Sequence, residues 1–451
     1  MKKELVILGG GAAGYHCALQ SAKRGLKPLL IERDALGGTG IRWGCVPLKY
    51  MMDRIRAMKT RTGYWNGGLL NPEPLSMEAA SGIFSDCRET LEHTDVRMRQ
   101  TLETEGVTLV YGTPRLTGPH HLEINDETIE FQRLVMATGT EAAPPEGIEP
   151  DEMNLLTHRG VIGLTKPPET FVVIGGDVEG LEFASLFAEM GTRVTVLEMM
   201  PQIMAGMDDD LTEPVYRRLK ETGVVLHSRT QVSGVKKTEN GVQVDTADGR
   251  QFHGDKAMVA MARRPVVPEG LSSTGLSLEK GRLQVNDQCQ TDVPHIYAIG
   301  DINGRLEMAH TALQQGLLLA DHLAAGTPLS WEYGPLPRVL YTLPQNGGAG
   351  LQEKQLQQQG VAYQKAQVYW RETWRGAGQT DPEGFLKILV GHDGVILGIW
   401  MTGYEISEQV NLAGYLVSRK ATAEEVKRHL WVHPTLGEAL LQAVLQLPET
   451  E

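Results

Sequence analysis

The sequence predicts an α/β fold in which one strand–helix–strand unit is used twice, with a separate α+β segment closing the chain. Three observations carry this. Residues 5–8, Leu-Val-Ile-Leu, form an apolar run that glycine ends at once, and Gly9, Gly11 and Gly14 follow with the spacing Gly-x-Gly-x-x-Gly. Residues 171–198 then repeat residues 5–32 without a gap at an offset of 166, so that Gly9, Gly14, Gly25 and Glu32 meet Gly175, Gly180, Gly191 and Glu198. After Pro335 the chain reads as an α+β segment.

In the first copy, four apolar residues bounded by glycine read as a buried parallel strand. A helical stretch runs to Arg24, and Gly25 stops it as a C-cap. A second apolar strand, residues 29–31, ends in Glu32. Each part has a physical reason if a dinucleotide binds. Gly9 allows the tight turn, Gly11 lets the backbone approach a pyrophosphate, Gly14 lets helix and strand pack closely, and Glu32 accepts from the ribose hydroxyls. A lone Gly-x-Gly-x-x-Gly is weak evidence; with strand, helix and acidic residue in place, it reads as a Rossmann-type unit.

The second copy departs at one position. Gly11 corresponds to Asp177, which sets a carboxylate and a Cβ where a pyrophosphate comes closest, and Glu179 adds another acid. Glu198 ends the second strand as a ribose acceptor, while Met199 and Met200 supply no arginine for a 2′-phosphate. NADH is therefore expected over NADPH, with an affinity that Asp177 weakens. Two such units in one chain mean two dinucleotides, the arrangement of FAD-plus-nicotinamide flavoproteins.

Between the copies, residues 47–59 and 76–105 read as helices. The first opens on Pro47 and carries Met51, Met52, Ile55 and Met58; the second carries Ile83, Leu91, Val96, Met98 and Leu102. The methionines read as core filler. Pro144-Pro145 and Pro167-Pro168 mark linkers. At 451 residues two to four domains are expected, and a net charge of −13 argues against nucleic acid and anionic membrane as partners. The first apolar run is too short for a signal-peptide core, and no stretch nears the roughly 18 apolar residues of a membrane span. Cys17, Cys45, Cys87 and Cys289 lie far apart with no Cys-x-x-Cys, so no metal site and no secreted disulfide framework is indicated, and a reducing cytoplasm is the expected location.

Residues 37–49, Gly-Gly-Thr-Gly-Ile-Arg-Trp-Gly-Cys-Val-Pro-Leu-Lys, resemble the active-site segment of the flavin-dependent disulfide reductases, the family of dihydrolipoamide dehydrogenase, glutathione reductase and mercuric reductase. The pattern there is Gly-Gly-Thr-Cys-x-x-x-Gly-Cys-x-Pro-Ser-Lys. Here Gly40 stands at the first cysteine position and Leu48 at the serine, while Cys45, Pro47 and Lys49 remain. Residues 134–139 are similar to the family's Ala-Thr-Gly strand end, and residues 291–301 to its second FAD fingerprint. Ala309, His310 and Ala312 match the start of the helix whose backbone lies against the flavin pyrimidine. Tyr341-Thr342-x-Pro344, residues 384–388, Leu397-Gly398 and Glu408 sit where the dimerisation domain has them, and His433-Pro434-Thr435-Leu436-Gly437-Glu438 resembles its closing segment.

The resemblance implies a class I pyridine nucleotide-disulfide oxidoreductase closest to dihydrolipoamide dehydrogenase: two Rossmann-type FAD/NAD(P)-binding domains plus a C-terminal α+β dimerisation domain. It divides the chain into FAD segments 1–148 and 265–330, a nicotinamide segment 149–264 and a dimerisation segment 331–451. FAD contacts are implied for Gly9, Gly11, Gly14, Glu32, Gly38, Thr39, Lys49, Ala137, Thr138, Gly139, Gly300, Asp301, Ala309 and His310, and NAD contacts for Gly175, Gly180 and Glu198. Lys49 is implied to touch the flavin and pair with Glu182. In a homodimer, His433 would reach into the partner subunit's active site as acid/base, with Glu438 orienting it.

The outer, exchanging thiol of the family is Gly40 here. Cys45 matches the inner cysteine, implied to be a low-pKa thiolate favoured by Lys49 and the flavin. One thiolate cannot hold an internal disulfide; it can form a mixed disulfide, become a sulfenic acid, or simply pack against the ring. Three readings stand open: an oxidoreductase passing electrons from NADH through FAD to a small acceptor such as a quinone; a single-cysteine dihydrolipoamide-dehydrogenase-like enzyme on a sulfur substrate; and a non-catalytic FAD-bound sensor or partner subunit.

Overall fold

The computed structural model describes residues 1–65, 75–329, 334, 336–378 and 383–448, without the side chains of 59–65; Trp331 and Pro335, where the sequence places the last domain boundary, lie outside the described residues. The chain forms two compact units, Met1–Pro167 with Met261–Trp331, and Pro168–Ala260 with Glu332–Glu451. Residues 149–167 and 261–264, read from sequence as part of the nicotinamide segment, belong to the first unit. Backbone pairing is one reason: Arg263–Pro265 lies antiparallel to Thr140–Ala142, and Ala143 N–H donates to the Ala262 carbonyl at 3.0 Å.

The first unit opens with β1 (Lys2–Leu8), α1 (Ala12–Lys23) and β2 (Pro28–Glu32), followed by α2 (Cys45–Trp65) and α3 (Met77–Thr104). Its sheet runs Thr108–Tyr111, β2, β1, Glu127–Met136, and then the hairpin strands His121–Ile124 and Arg115–Gly118, with Ile296–Ala298 also parallel to Glu127–Met136. The β1 run is apolar throughout because both sheet faces are covered: Leu5 and Ile7 join a core with Cys17 and Ala18 of α1, while Val6 and Leu8 join another with Phe131 and Ile302. Ser76 caps α3 by accepting from Ala79 N–H at 3.2 Å, one residue before the helix proper. The helix expected from Pro47 begins two residues earlier, at Cys45. Proline is tolerated in a first turn, so it did not have to be the first residue. The consequence is functional, since Cys45 now opens a helix.

In the second unit, Val225–His227, Arg193–Leu197, Thr170–Ile174 and Lys256–Val259 lie in parallel order, with the helix Val178–Glu189 after Thr170–Ile174. The C-terminal part is an antiparallel sheet in the order Arg338–Leu340, Gln345–Gly350, Ile396–Gly403, Phe385–Gly391 and Tyr363–Tyr369. Helix Ile406–Ser418 and helix Glu438–Leu445 pack apolar residues onto it, among them Val410, Ala413, Leu440 and Val444. Inside this unit Lys387 is fully buried, and its Nζ meets Asp208 Oδ2 at 2.9 Å, both Asp210 oxygens at 2.8 Å and Glu353 Oε1 at 2.9 Å. Those three carboxylates converge closely enough to hold a metal ion, and the ammonium group occupies that role. Among the described residues no helix is long and apolar enough to cross a membrane.

Candidate functional site

In the first unit, motifs far apart in sequence meet around the turn after β1. A Cβ added to Gly38 would lie 2.9 Å from Gly11 Cα, one at Gly9 would lie 2.5 Å from the Ala137 carbonyl oxygen, and one at Gly300 would lie 3.1 Å from Ala13 Cβ. Gly40 adjoins the first residue of helix Ala309–Ala325, its added Cβ falling 3.2 Å from Ala309 Cβ. Residues 9–14, 37–40, 137–139, 300–301 and 309–310 are thereby brought to one place. His310 is exposed there. Thr138 donates to the Val266 carbonyl, and Asp301 accepts from Thr140 Oγ1 at 3.4 Å. Burial raises the Asp301 carboxyl above its ordinary range, against the opposing pull of the Arg263 guanidinium.

The residues fit a dinucleotide phosphate. Gly11 is the N-cap of α1, with no side-chain cap and no acid in the first turn, so the helix N-terminus keeps backbone donors for an anion. Nothing in the fold forbids a side chain at Gly11: an added Cβ would be 3.7 Å from its nearest neighbour. The space over that turn is what the missing side chain preserves. Gly14 differs, because its Cβ would strike the Gly9 carbonyl oxygen at 1.9 Å; the turn itself, more than the helix–strand contact, requires glycine there. Two buried donors in this region, Arg42 Nη1 and Thr311 Oγ1, have no partner among the described residues.

Glu32 has a second role that its spacing did not reveal. Oε2 accepts from Gly10 N–H at 2.6 Å and Oε1 from Asp34 N–H at 2.9 Å, so the carboxylate braces the turn and keeps a lone pair on each oxygen. Glu198 repeats this in the second unit, accepting from Gly176 N–H at 2.6 Å and Met200 N–H at 2.6 Å. Gly180 likewise backs onto Gly175, where a Cβ would lie 2.0 Å from the carbonyl oxygen. Asp177 is the exposed N-cap of Val178–Glu189 with no side-chain cap bond, and Glu179 stands in the first turn. The second turn thus copies the first in backbone and carries acid where the first carries none.

Cys45 is exposed at the start of α2, Leu48 is buried and Lys49 is half-buried. Cys87 of α3 points its thiol at the Pro47 carbonyl, 3.8 Å away. In the second unit Glu182 is buried and accepts from Tyr341 N–H at 2.8 Å. His433 Nδ1 lies 2.9 Å from Glu438 Oε1, and Glu438 Oε2 accepts from Thr435 N–H at 2.9 Å. His433 and the Thr435 N–H hold the Glu438 carboxyl below its usual range. With Nδ1 on Glu438, Nε2 is the nitrogen of His433 that this pair leaves over.

Residues 3–316 match the family model for pyridine nucleotide-disulphide oxidoreductases, and residues 336–444 match that family's dimerisation domain. The chain belongs to that family. Its members are FAD-dependent oxidoreductases that bind a pyridine nucleotide, and this chain is such an enzyme. It is 30% identical over 460 residues to a dihydrolipoyl dehydrogenase of Haloferax volcanii, covering 98% of this chain and 95% of that one. It is 31% identical to a dihydrolipoamide dehydrogenase of Chaetomium thermophilum, covering 98% and 90%. Among solved structures it is similar to LpdA from Mycobacterium tuberculosis, with a TM-score of 0.89, 25% identity and 98% and 99% coverage. The flavoprotein disulfide reductase RclA from Escherichia coli shares the fold, with a TM-score of 0.87 at 22% identity over 98% and 99% of the two chains.

Sequence reasoning missed four residues near the family's active-site segment. Arg263 donates from Nε to Thr140 Oγ1 at 2.8 Å and from Nη2 to the Thr140 carbonyl at 3.0 Å. The guanidinium groups of Arg42 and Arg159 lie 5.5 and 4.9 Å from the Trp43 ring centroid. The adjacent pair Arg42-Trp43 was the available signal. Glu32→Arg is expected to yield largely apo protein, with FAD affinity lowered at least about 100-fold, because it removes the brace on Gly10 and puts a donor where acceptors are needed. Flavin content of the purified protein measures it; full retention would count against the assignment.

Proposed function

We propose that this enzyme passes electrons from NADH through FAD to a small acceptor such as a quinone, without an internal dithiol. One observation carries the reading. Cys45 is the single exposed cysteine, while Cys17, Cys87 and Cys289 are buried, with burial pushing their thiols up to about 12, 11 and 12. FAD, when bound, supplies two-electron chemistry that needs no protein sulfur. Gly9, Gly11, Gly14, Glu32, Gly38, Thr39, Lys49, residues 137–139, Gly300, Asp301, Ala309 and His310 would hold it, within segments 1–148 and 265–330. Gly175, Gly180 and Glu198 in segment 149–264 would hold NADH, and Lys49 would pair with Glu182. On this reading Cys45, which opens α2, would be held as thiolate. Segment 331–451 would form a homodimer, supported by the family domain there and by Leu430 and Val432, 92% and 74% exposed beside His433. His433, oriented by Glu438, would supply the proton that the reduced acceptor takes up. The proposed location is cytoplasmic.

A single-cysteine enzyme on a sulfur substrate is the second reading, and the intact His433–Glu438 pair favours it. Anaerobic titration with NADH and NADPH, followed by a panel of quinones and disulfides, separates the two. The expected result is bleaching of the flavin by NADH and reoxidation by quinone; reoxidation by disulfides alone would overturn the proposal.

Asp177→Gly is expected to tighten NADH binding about tenfold, since it removes a charge facing the pyrophosphate, and the gain should shrink with added salt. Isothermal titration at two ionic strengths measures it. Unchanged or weaker binding would mean that the pyrophosphate lies elsewhere.

A further inference from the structure

We propose that Trp374 determines acceptor specificity, its indole forming a stacking surface beside His433 that selects a planar aromatic acceptor; this rests on the quinone reading above. Trp374 and His433 meet edge to face, with ring centroids 6.2 Å apart and planes at 72°. Glu438 already takes one imidazole nitrogen, at 2.9 Å. The His433 ring is thus fixed on one side by a carboxylate and on another by an aromatic ring. Whatever acceptor His433 reaches with its remaining nitrogen lies within reach of the indole as well.

Trp374 is also 71% exposed, far from the near-total burial of Trp370 four residues earlier. Trp370 spends its N–H on the Thr402 carbonyl at 2.7 Å and anchors the segment. Thr373 and Gly376 tighten it, with Thr373 Oγ1 on the Trp370 carbonyl at 2.8 Å and Gly376 N–H on Thr373 Oγ1 at 2.9 Å. The turn is rigid and buried at its base, and it presents a large aromatic ring outward against a histidine. An edge-to-face contact leaves an indole face open, and a planar ring stacks there with about tenfold better affinity than an aliphatic surface provides. A disulfide offers no face to stack. The reaction balances as NADH plus a proton plus quinone giving NAD⁺ plus hydroquinone: NADH gives two electrons and one proton, and His433 relays the second proton from solvent.

The test uses full-length dimer carrying Trp374→Leu, which keeps apolar bulk without a π face, and Trp374→Phe, which keeps a smaller one. NADH-dependent reduction of menadione is measured with the oligomeric state by sedimentation. The expected result is a menadione KM raised about tenfold in the Leu variant with kcat within about threefold, and a KM within about twofold of wild type in the Phe variant. An unchanged KM in the Leu variant overturns the inference. Dissociation of the dimer in the Leu variant also overturns it, and makes Trp374 an interface residue. If the unsubstituted protein reduces no quinone, the reading beneath falls first, and that failure shows before any substitution is made.

Discussion

Lys387→Met is expected to cost the second unit about 3–5 kcal/mol of stability, the range for breaking a buried ion pair from one side. The Lys387 side chain is fully buried and meets three carboxylates at 2.8–2.9 Å. Methionine matches the stem of lysine and leaves Asp208, Asp210 and Glu353 facing one another. Lys365 at 3.2 Å from Glu353 and Lys354 at 2.7 Å from Asp209 sit at the rim and answer little of that charge. Urea unfolding followed by tryptophan fluorescence measures the loss, because Trp370 and Trp400 are buried in this unit. The same geometry gives a second outcome. The three carboxylates offer ligand atoms within 4.8 Å of one another, so calcium, which takes oxygens at about 2.3–2.6 Å, should restore part of the stability of the variant and none to the unsubstituted protein. Stability loss below about 1 kcal/mol would show that the cluster is solvated in solution.

The cluster also fixes a pH window. For Asp208 and Glu353, burial works against ionisation. Hydrogen bonds from the Lys354 backbone to Asp208 and from Lys387 to both outweigh it, so both carboxyls are held below their ordinary range. Their contribution is present above the unfolded values near 4 and is lost as pH falls through the depressed folded values. Lys387 goes the other way: burial opposes its charge, but bonds to Asp210, Asp208 and Glu353 raise it above the usual lysine range. Its contribution is whole below the unfolded lysine value and is lost only as pH rises through the folded one. The cluster should therefore loosen in acid as pH falls below about 4, and in alkali only above the ordinary lysine range.

Much of the fold was legible because its signals are local. The run from Leu5 to Glu32 carries strand, turn, helix and acid within one stretch, and the copy at Glu198 reproduces even the hydrogen bonds of its carboxylate. Asp177 stood out for the same reason: a repeat exposes its own exception. What escaped notice depends on residues far apart. Lys387 reads in sequence as one polar residue in an apolar strand, and only folding brings Asp208 to it across 179 positions. Arg263 reaches Thr140 across 123 positions, and Trp374, beyond strand Tyr363–Tyr369, reaches His433, which precedes helix Glu438–Leu445. The contact of Cys87 with the Pro47 carbonyl is hidden in the same way, since their distance along the chain conceals the packing of α3 on α2. Gly14 was assigned to helix–strand packing, while its nearest neighbour is the turn that spacing alone had given to Gly9.

On the proposed reading, the unsubstituted enzyme is expected to reduce lipoamide, glutathione disulfide and mercuric ion at no more than about a thousandth of its quinone rate, and NADH is expected to bleach its flavin all the same. Thiol–disulfide exchange needs one sulfur to attack and a second to resolve the mixed disulfide, and an enzyme that loses a covalent step loses orders of magnitude, not a factor of a few. Cys45 is exposed and would be the attacking sulfur. None of the others can resolve. Burial pushes Cys87 up to about 11, against the opposing pull of Arg88 and Arg42, and it leaves Cys17 and Cys289 at about 12, so at neutral pH all three are protonated thiols. The likeness of residues 37–49 to the family's active-site segment would put a second sulfur at position 40, and Gly40→Cys tests it. The added Cβ would sit 3.2 Å from Ala309 Cβ and 3.9 Å from Ala12 Cβ, tight against Ala309 but not prohibitive if helix Ala309–Ala325 gives by a few tenths of an ångström. The variant should gain lipoamide reduction of at least about tenfold over the parent while Gly40→Ala, which carries the Cβ without the sulfur, gains none. Steady-state NADH oxidation with lipoamide, run beside thiol titration before and after borohydride, gives both numbers. Vigorous lipoamide reduction by the unsubstituted enzyme would sink the argument from sulfur count and return Cys45 to the centre of the chemistry.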